Sequence, residues 1–203
     1  MFAHLASLLR SGEQLDAAEE VASRAIGLLP ENSELLITYQ GHRILGEIWY
    51  DGGETKKAIH HFEIAFRIAS SLNRANQLFW IHYRLAQVFS GEGKFVDAQA
   101  HIEHARSHAV NDMYLSAYAM EGQARLWNEQ RRSEDAKSEA LCALDAFEKL
   151  GAADNAEATR QLLHQIEAKV LDDSNHDGEL LETILLIDYR VNSSCSDWIA
   201  ESE

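Results

Sequence analysis

Proline, glycine and cysteine are scarce in this chain, and each shortage excludes a class of structure. One proline and 11 glycines in 203 residues are too few for a β-sandwich or barrel, which needs many tight turns. The two cysteines, Cys142 and Cys195, lie far apart and outside any C-x-x-C pair, so neither a disulfide framework nor a zinc module is predicted. We therefore expect an all-α protein in a reducing, cytoplasmic compartment.

Positive charge and long apolar runs are also lacking. The formal net charge is -15, whereas proteins that bind nucleic-acid phosphates need lysine and arginine clustered on one face. No apolar run approaches the length of a membrane span. The apolar opening from Phe2 to Leu9 is short and has no basic leader, so it is not interpreted as a signal peptide. We expect neither a nucleic-acid partner nor a membrane partner.

Small residues recur along the chain at a regular interval. Ala18, Ala58, Ala98 and Ala136 follow one another at a period of about 40 residues, with the last interval slightly shorter than the others, and such a period is typical of repeat arrays. Apolar residues at helical spacing on both sides of a turn predict a helix pair for each unit. We predict four units and a closing helix in residues 1–171, followed by an acidic linker and C-terminal helix in residues 172–203.

Local signals predict where the helices begin and end. Gly151 is suited to end a helix. The candidate N-caps are Asn32 or Ser33, Thr55, Asn111 or Asp112, Ser133 and Asp154.

The second unit carries the most complete motif. Its residues Leu45, Gly46, Trp49, Gly53, Ala58, Phe62 and Ala65 follow the order L-G-x-x-W-x-x-x-G-x-x-x-x-A-x-x-x-F-x-x-A. This order resembles the tetratricopeptide repeat (TPR), with Trp49 where the family usually has tyrosine. The long period is similar to TPR arrays of kinesin light chains and of fungal STAND-type signalling NTPases. The resemblance implies a right-handed α-solenoid, although the fourth unit has Gln123 for the usual leucine and Arg131 for the turn glycine.

The resemblance also implies a binding surface. In TPR proteins the partner usually lies in a concave groove lined by the first helix of each repeat. The corresponding positions are Gln40, Arg43, Glu47, Tyr50, Trp80, Tyr83, Gln87, Tyr118, Glu121, Arg125 and Asn128. These polar and aromatic residues suit a peptide or a helical segment. Alternatively, Trp80 and Tyr83 simply pack against the preceding repeat. Chaperone-tail binding is not predicted, because Arg43 and Glu47 stand where that clamp has lysine and asparagine.

Catalytic and metal sites are not predicted. His101, His104 and His108 share one face of a helix, at spacings that can bind zinc, but no carboxylate or cysteine completes a set. We expect these three histidines on the solvent side of their helix, and the same for His60 and His61. No nucleophile elbow, paired-acid motif or G-x-x-x-x-G-K-[ST] loop occurs, so we expect a protein without enzymatic activity or cofactor.

Two hypotheses for the function remain. The first is a protein-interaction scaffold whose groove binds a peptide or helical segment. The second is an in-cis regulatory module of a STAND-type NTPase, whose NTPase domain is not in this chain. A P-loop encoded upstream would favour the second hypothesis.

Overall fold

A computed structural model describes residues 15–27 and 35–170, and this part of the chain contains eight helices, of which the seven from residue 35 onward are joined by short turns. The helices are α1 (Leu15–Gly27), α2 (Leu35–Asp51), α3 (Thr55–Ser71), α4 (Ala75–Gly91), α5 (Phe95–His108), α6 (Met113–Glu129), α7 (Ser133–Lys149) and α8 (153–170). The predicted all-α fold is confirmed. The first helix of unit one, the cap at Asn32 or Ser33 and the segment from Glu179 to Arg190 lie outside the described residues.

The helices stack as a solenoid. Three hairpins, α2 with α3, α4 with α5 and α6 with α7, provide the closest packing, and each hairpin also packs on the next. The first helices of successive hairpins lie side by side, because α4 contacts both α2 and α6. The last helix, α8, continues the stack by placing Leu162 and Ile166 against Ala136 and Ala140 of α7. Each unit therefore buries its apolar face on its neighbours.

Close approach of the two helices in a hairpin depends on small side chains. In the α2–α3 hairpin, Ala58, Phe62 and Ala65 are completely buried. A Cβ atom on Gly46 would lie 2.5 Å from the Phe62 ring, so no larger residue fits at this position without displacing a buried aromatic ring. Gly46, Ala58 and Ala65 therefore let the two helices of this hairpin approach closely.

A left-handed residue recurs in the turns. Gly53, Gly93 and Gly151 have φ of 77°, 71° and 67°, and Asn73 and Arg131 adopt the same region with φ of 47° and 59°. The fourth unit thus keeps the turn geometry of the others although Arg131 replaces glycine, a conformation that L-residues adopt at a cost.

The interval from Ala98 to Ala136 is shorter than the two before it because α5 is short. This helix has 14 residues, whereas α3 and α7 have 17. A four-residue turn follows it in place of the usual three. The turn restores only part of the length that the helix loses, so Ala136 follows Ala98 sooner than Ala98 follows Ala58.

Three of the predicted N-caps are wrong. Thr55 and Ser133 are already the first residues of their helices, and the residues before them, Glu54 and Arg132, make no side-chain cap. Asp154 lies inside α8, which begins at residue 153. In the three-residue turns only one residue separates the left-handed residue from the next helix. The helix therefore begins at or before the polar residue that was predicted to cap it. After the longer turn Asp112 does cap α6, where it accepts a hydrogen bond from the Leu115 amide at 3.0 Å.

Candidate binding groove on the first helices

The predicted groove residues come together on the face formed by α2, α4, α6 and α8. All except Glu47 line two adjoining cavities, of about 540 and 330 Å³, which share Arg84, Gln87 and Arg125. Glu47 lies beneath them and is 3% exposed. We call these two cavities the groove.

Buried Glu47 joins α2 to α4. Its carboxylate accepts hydrogen bonds from Arg43 Nη1 at 2.5 Å and from Arg84 Nε at 3.1 Å. Arg84 also donates from Nη1 to the side chain of Gln87 at 2.9 Å, and Arg43 donates from Nε to Gln40 at 3.3 Å. The charge of Glu47 is therefore compensated by two guanidinium groups, as a buried carboxylate requires.

Buried Glu121 joins α6 to α4 in a similar way. Its Oε2 atom accepts from the Tyr83 hydroxyl at 3.1 Å, while Oε1 accepts from Arg125 Nε at 3.0 Å and Nη2 at 2.6 Å. Burial raises the pKa of Tyr83, and the neighbouring Glu121 raises it further. Tyr83 is thus a neutral donor at physiological pH.

Aromatic rings also connect α4 to α6 along the groove. The ring centres of Trp80 and Tyr118 lie 4.8 Å apart, edge to face. Asn155 of α8 donates to the Tyr118 hydroxyl at 2.6 Å. Tyr83 is 3% exposed and packs between repeats, but its contacts are with the following repeat and not with the preceding one. Trp80 is half-buried.

One buried acceptor in the groove lacks a donor. Asn128 is 4% exposed, and its Oδ1 atom has no hydrogen-bond partner within the described residues. It lines the smaller cavity together with Tyr50, whose hydroxyl lies 3.5 Å from the Gln87 carbonyl oxygen. An unsatisfied buried polar atom costs about 1–3 kcal/mol.

The groove presents positive charge although the protein is acidic. The side chains of Arg43, Arg84 and Arg125 are 25%, 28% and 41% exposed, while those of their partners Glu47 and Glu121 are 4% and 7% exposed. A molecule entering the groove therefore meets guanidinium groups before carboxylates. Exposed Glu129, at the edge of the smaller cavity, has Lys169 at 3.6 Å.

Sequence analysis missed several residues of the groove, among them Arg84, Tyr39 and Asn155. Arg84 occupies a position filled by Ile44 and Gly122 in the adjacent repeats, so carrying motif positions from unit to unit could not find it. Tyr39 and Asn155 also line the larger cavity. Asn155 belongs to a helix that was predicted only to close the array.

The histidines differ from their predicted placement. His101 does not face solvent, because its Nδ1 atom lies 2.9 Å from Nδ1 of His82 in α4. His61 likewise contacts His42 of α2. His60 and His104 are exposed as expected. No group of three or more histidine, cysteine, aspartate or glutamate side chains in the described ranges could hold a metal ion.

The architecture is similar to that of solved TPR-like proteins. BtubC (BKLC) from P. vanneervenii is 16% identical, with a TM-score of 0.61 over 83% of this chain and 79% of that one. TPR-like repeats from Podosopora anserina, assigned to a kinesin light chain, are 14% identical, with a TM-score of 0.55 over 83% of this chain and 94% of that one. A singly substituted variant of the latter gives the same TM-score. The chain thus has the TPR-like α-solenoid fold.

The remaining comparisons are negative. No protein-family model matches the sequence, and no curated protein matches it. Among the described helices, none has the length and apolar character required to cross a membrane.

Proposed function

We propose that this protein is a non-catalytic interaction scaffold, which works in the cytoplasm and binds an acidic peptide segment of a protein partner in the groove. The TPR-like fold supports a protein-interaction role. The observation that carries the finer proposal is the groove itself, where three partly exposed arginines, Arg43, Arg84 and Arg125, line the two cavities.

The chemistry of the groove favours a peptide chain over other ligands. Guanidinium groups pair with carboxylates in bidentate fashion. Trp80 and Tyr118 offer aromatic surface for an apolar side chain of the same segment. An extended or helical segment with one or two acidic residues and an apolar side chain meets both requirements.

Peptide display against the protein tests this proposal. Selected sequences should be enriched in Asp and Glu, and their affinity should fall at least tenfold in Arg125→Gln. The matched control is Arg106→Gln on α5. Arg106 also pairs with a glutamate, Glu139, and its side chain is 44% exposed, against 41% for Arg125.

A second variant separates lost binding from lost folding. Trp80→Leu keeps the ion pairs intact and should weaken the same peptides, while thermal unfolding of each variant checks the fold. If selection gives no acidic preference, or if Arg106→Gln weakens binding as much as Arg125→Gln, the binding surface lies elsewhere. Selection of segments from an NTPase would instead favour the in-cis regulatory hypothesis, which no observation in the structure supports over the scaffold.

A further inference from the structure

A pair of histidines recurs in two successive hairpins. His42 of α2 faces His61 of α3, and His82 of α4 faces His101 of α5, with Nδ1 atoms 3.0 and 2.9 Å apart. Both members of the second pair lie one full repeat period after their counterparts in the first. The pair therefore occupies the same position in each hairpin, between its first and second helix.

The two rings of each pair meet nitrogen to nitrogen. Their centres are 5.3 Å apart in the first pair and 5.2 Å in the second. In each pair the distance between ring centres is about 2.3 Å longer than the Nδ1···Nδ1 distance. This difference equals the sum of the two ring radii. Both nitrogens therefore lie close to the line between the ring centres. Opposed lone pairs cannot converge on a metal ion that needs two bonds of about 2.0–2.1 Å. One proton fits between them.

Such a pair requires unlike tautomers. One neutral ring donates its Nδ1–H, and the other accepts through its Nδ1 lone pair and carries its own proton on Nε2. If the accepting Nδ1 also takes up a proton, two N–H groups point at each other and the hydrogen bond is lost.

The second pair lies in surroundings that oppose further protonation. His82 is 8% exposed, and its ring centre lies 5.3 Å from that of Phe66, with the two rings edge to face. The rings of His104 and His108 lie 4.9 and 5.9 Å from it. Burial first, then the adjacent histidines, lower the pKa of His82 to about 4. Burial and His104 also lower the pKa of His101, against an opposing effect of Asp97.

The first pair has a similar environment. Burial, then His42 and His60, lower the pKa of His61 to about 4. Burial, His60 and Arg67 lower the pKa of His42 as well. Among the described residues, no carboxylate opposes these two shifts.

We propose that the two histidine pairs are acid-sensitive contacts, which hold the first helix on the second in the α2–α3 and α4–α5 hairpins. Each pair holds one proton between its Nδ1 atoms, and acid separates the rings and loosens the packing of the first helix on the second. The third hairpin has Met120 and Glu139 at the equivalent positions, and Glu139 bonds to Arg106 instead. Acid sensitivity is thus confined to the two preceding hairpins.

The sign of the pH effect follows from linkage. The unfolded chain binds protons at its histidines with a pKa near 6.5, whereas in the folded protein the pKa of His61 and of His82 is about 4 and the pKa of His42 and of His101 is also lowered. Unfolding therefore takes up protons in this window. Stability is highest above pH 6.5 and is lost as the pH falls towards 4.

Nuclear magnetic resonance of the unmodified, ¹⁵N-labelled protein tests the pairing directly. At pH 7.5 one histidine of each pair should be the Nδ1–H tautomer and its partner the Nε2–H tautomer. Finding all four as Nε2–H tautomers, or all four fully protonated at pH 5.5, would overturn the proposal.

Urea unfolding between pH 8 and pH 4.5 tests the consequence. The variant His42→Met/His82→Met introduces the residue that the third hairpin carries, and the control is His164→Met, an exposed histidine of α8. Below about pH 5.5, where the histidines of the unfolded chain are almost fully protonated, two fewer protons taken up on unfolding should make the rise of the unfolding constant up to about a hundredfold shallower per pH unit in the double variant. The control should follow the wild type. An unchanged pH dependence in the double variant contradicts the proposal. If the double variant does not fold, each single variant replaces it, and the expected change in the slope of the unfolding constant is then tenfold per pH unit.

Discussion

The first and second helices of the hairpins bury different kinds of side chain. The buried polar or charged residues in the described ranges belong to first helices, with the exception of Thr159 in the last helix α8; the others are Glu47, His82, Glu121, Gln123 and Asn128. The second helices α3, α5 and α7 bury alanines and one large apolar residue each, which are Phe62, Ile102 and Phe147.

This difference means that the residues that stabilise the array and the residues that line the groove lie on different helices. A second helix contributes apolar packing at short range, which tolerates little change in volume. A first helix contributes hydrogen bonds that extend to the next repeat, such as Tyr83 to Glu121. The polar first helices place functional groups on a frame that the second helices hold together.

The largest expected effect tests the second helices. Ala58→Asp would put an unpaired charge at a completely buried position, and we expect a loss of several kcal/mol in the free energy of unfolding. Ala100→Asp, at an exposed position of α5, should cost only the lower helix propensity of aspartate, about 0.5 kcal/mol. Urea denaturation measures both. Equal stabilities of the two variants would show that the register of the second helices is wrong.

An intermediate effect tests the first helices. Glu121→Ala leaves the buried Tyr83 hydroxyl without its acceptor, and we expect a loss of about 1–3 kcal/mol. Glu139→Ala removes an ion pair with the exposed Arg106 and should cost less than about 1 kcal/mol. Chemical denaturation of the two variants side by side compares a buried contact between first helices with an ion pair between second helices. If Glu139→Ala is the more damaging, the polar network does not hold the repeats together.

The smallest effect concerns a turn that joins the two kinds of helix. Arg131 has φ of 59°, so Arg131→Gly should stabilise the protein by about 0.5–1 kcal/mol, because glycine adopts this region without steric cost. Gly151→Ala, at φ of 67°, should have the opposite sign and a similar size. Thermal unfolding measures the pair of variants, and a destabilising Arg131→Gly would show that the arginine side chain contributes more than the strain costs.

Much of the fold could be predicted because its signals are local. The motif around Gly46 and Ala58 specified a hairpin, and its recurrence specified the array, since each unit needs a neighbour to cover its apolar face. Helix starts at Thr55 and Ser133 were misplaced by one residue, because the geometry of the turn outweighs the preference of a capping side chain. Gln123, unusual for the motif, is accommodated by a reciprocal amide pair with Gln99 at 2.8 and 3.0 Å.

The groove and the histidine pairs were less accessible to sequence analysis. The groove residues were identified by analogy of position, which found those that the repeats share and missed Arg84. The histidines of α5 were placed by periodicity alone, which assigns a residue to a helix face but cannot tell that His82 on the neighbouring helix lies opposite His101.

The amino-acid sequence by itself determined the helical class, the repeat period and the small side chains that bring paired helices together, because these depend on contacts within one hairpin. Only the tertiary structure decided which polar groups meet. Glu47 bonds to Arg84 and Tyr83 to Glu121 across 37 and 38 residues of sequence, and whether such atoms come within hydrogen-bond distance depends on the exact offset of one first helix against the next. Packing sets that offset, and the polar pairs then form where it places them.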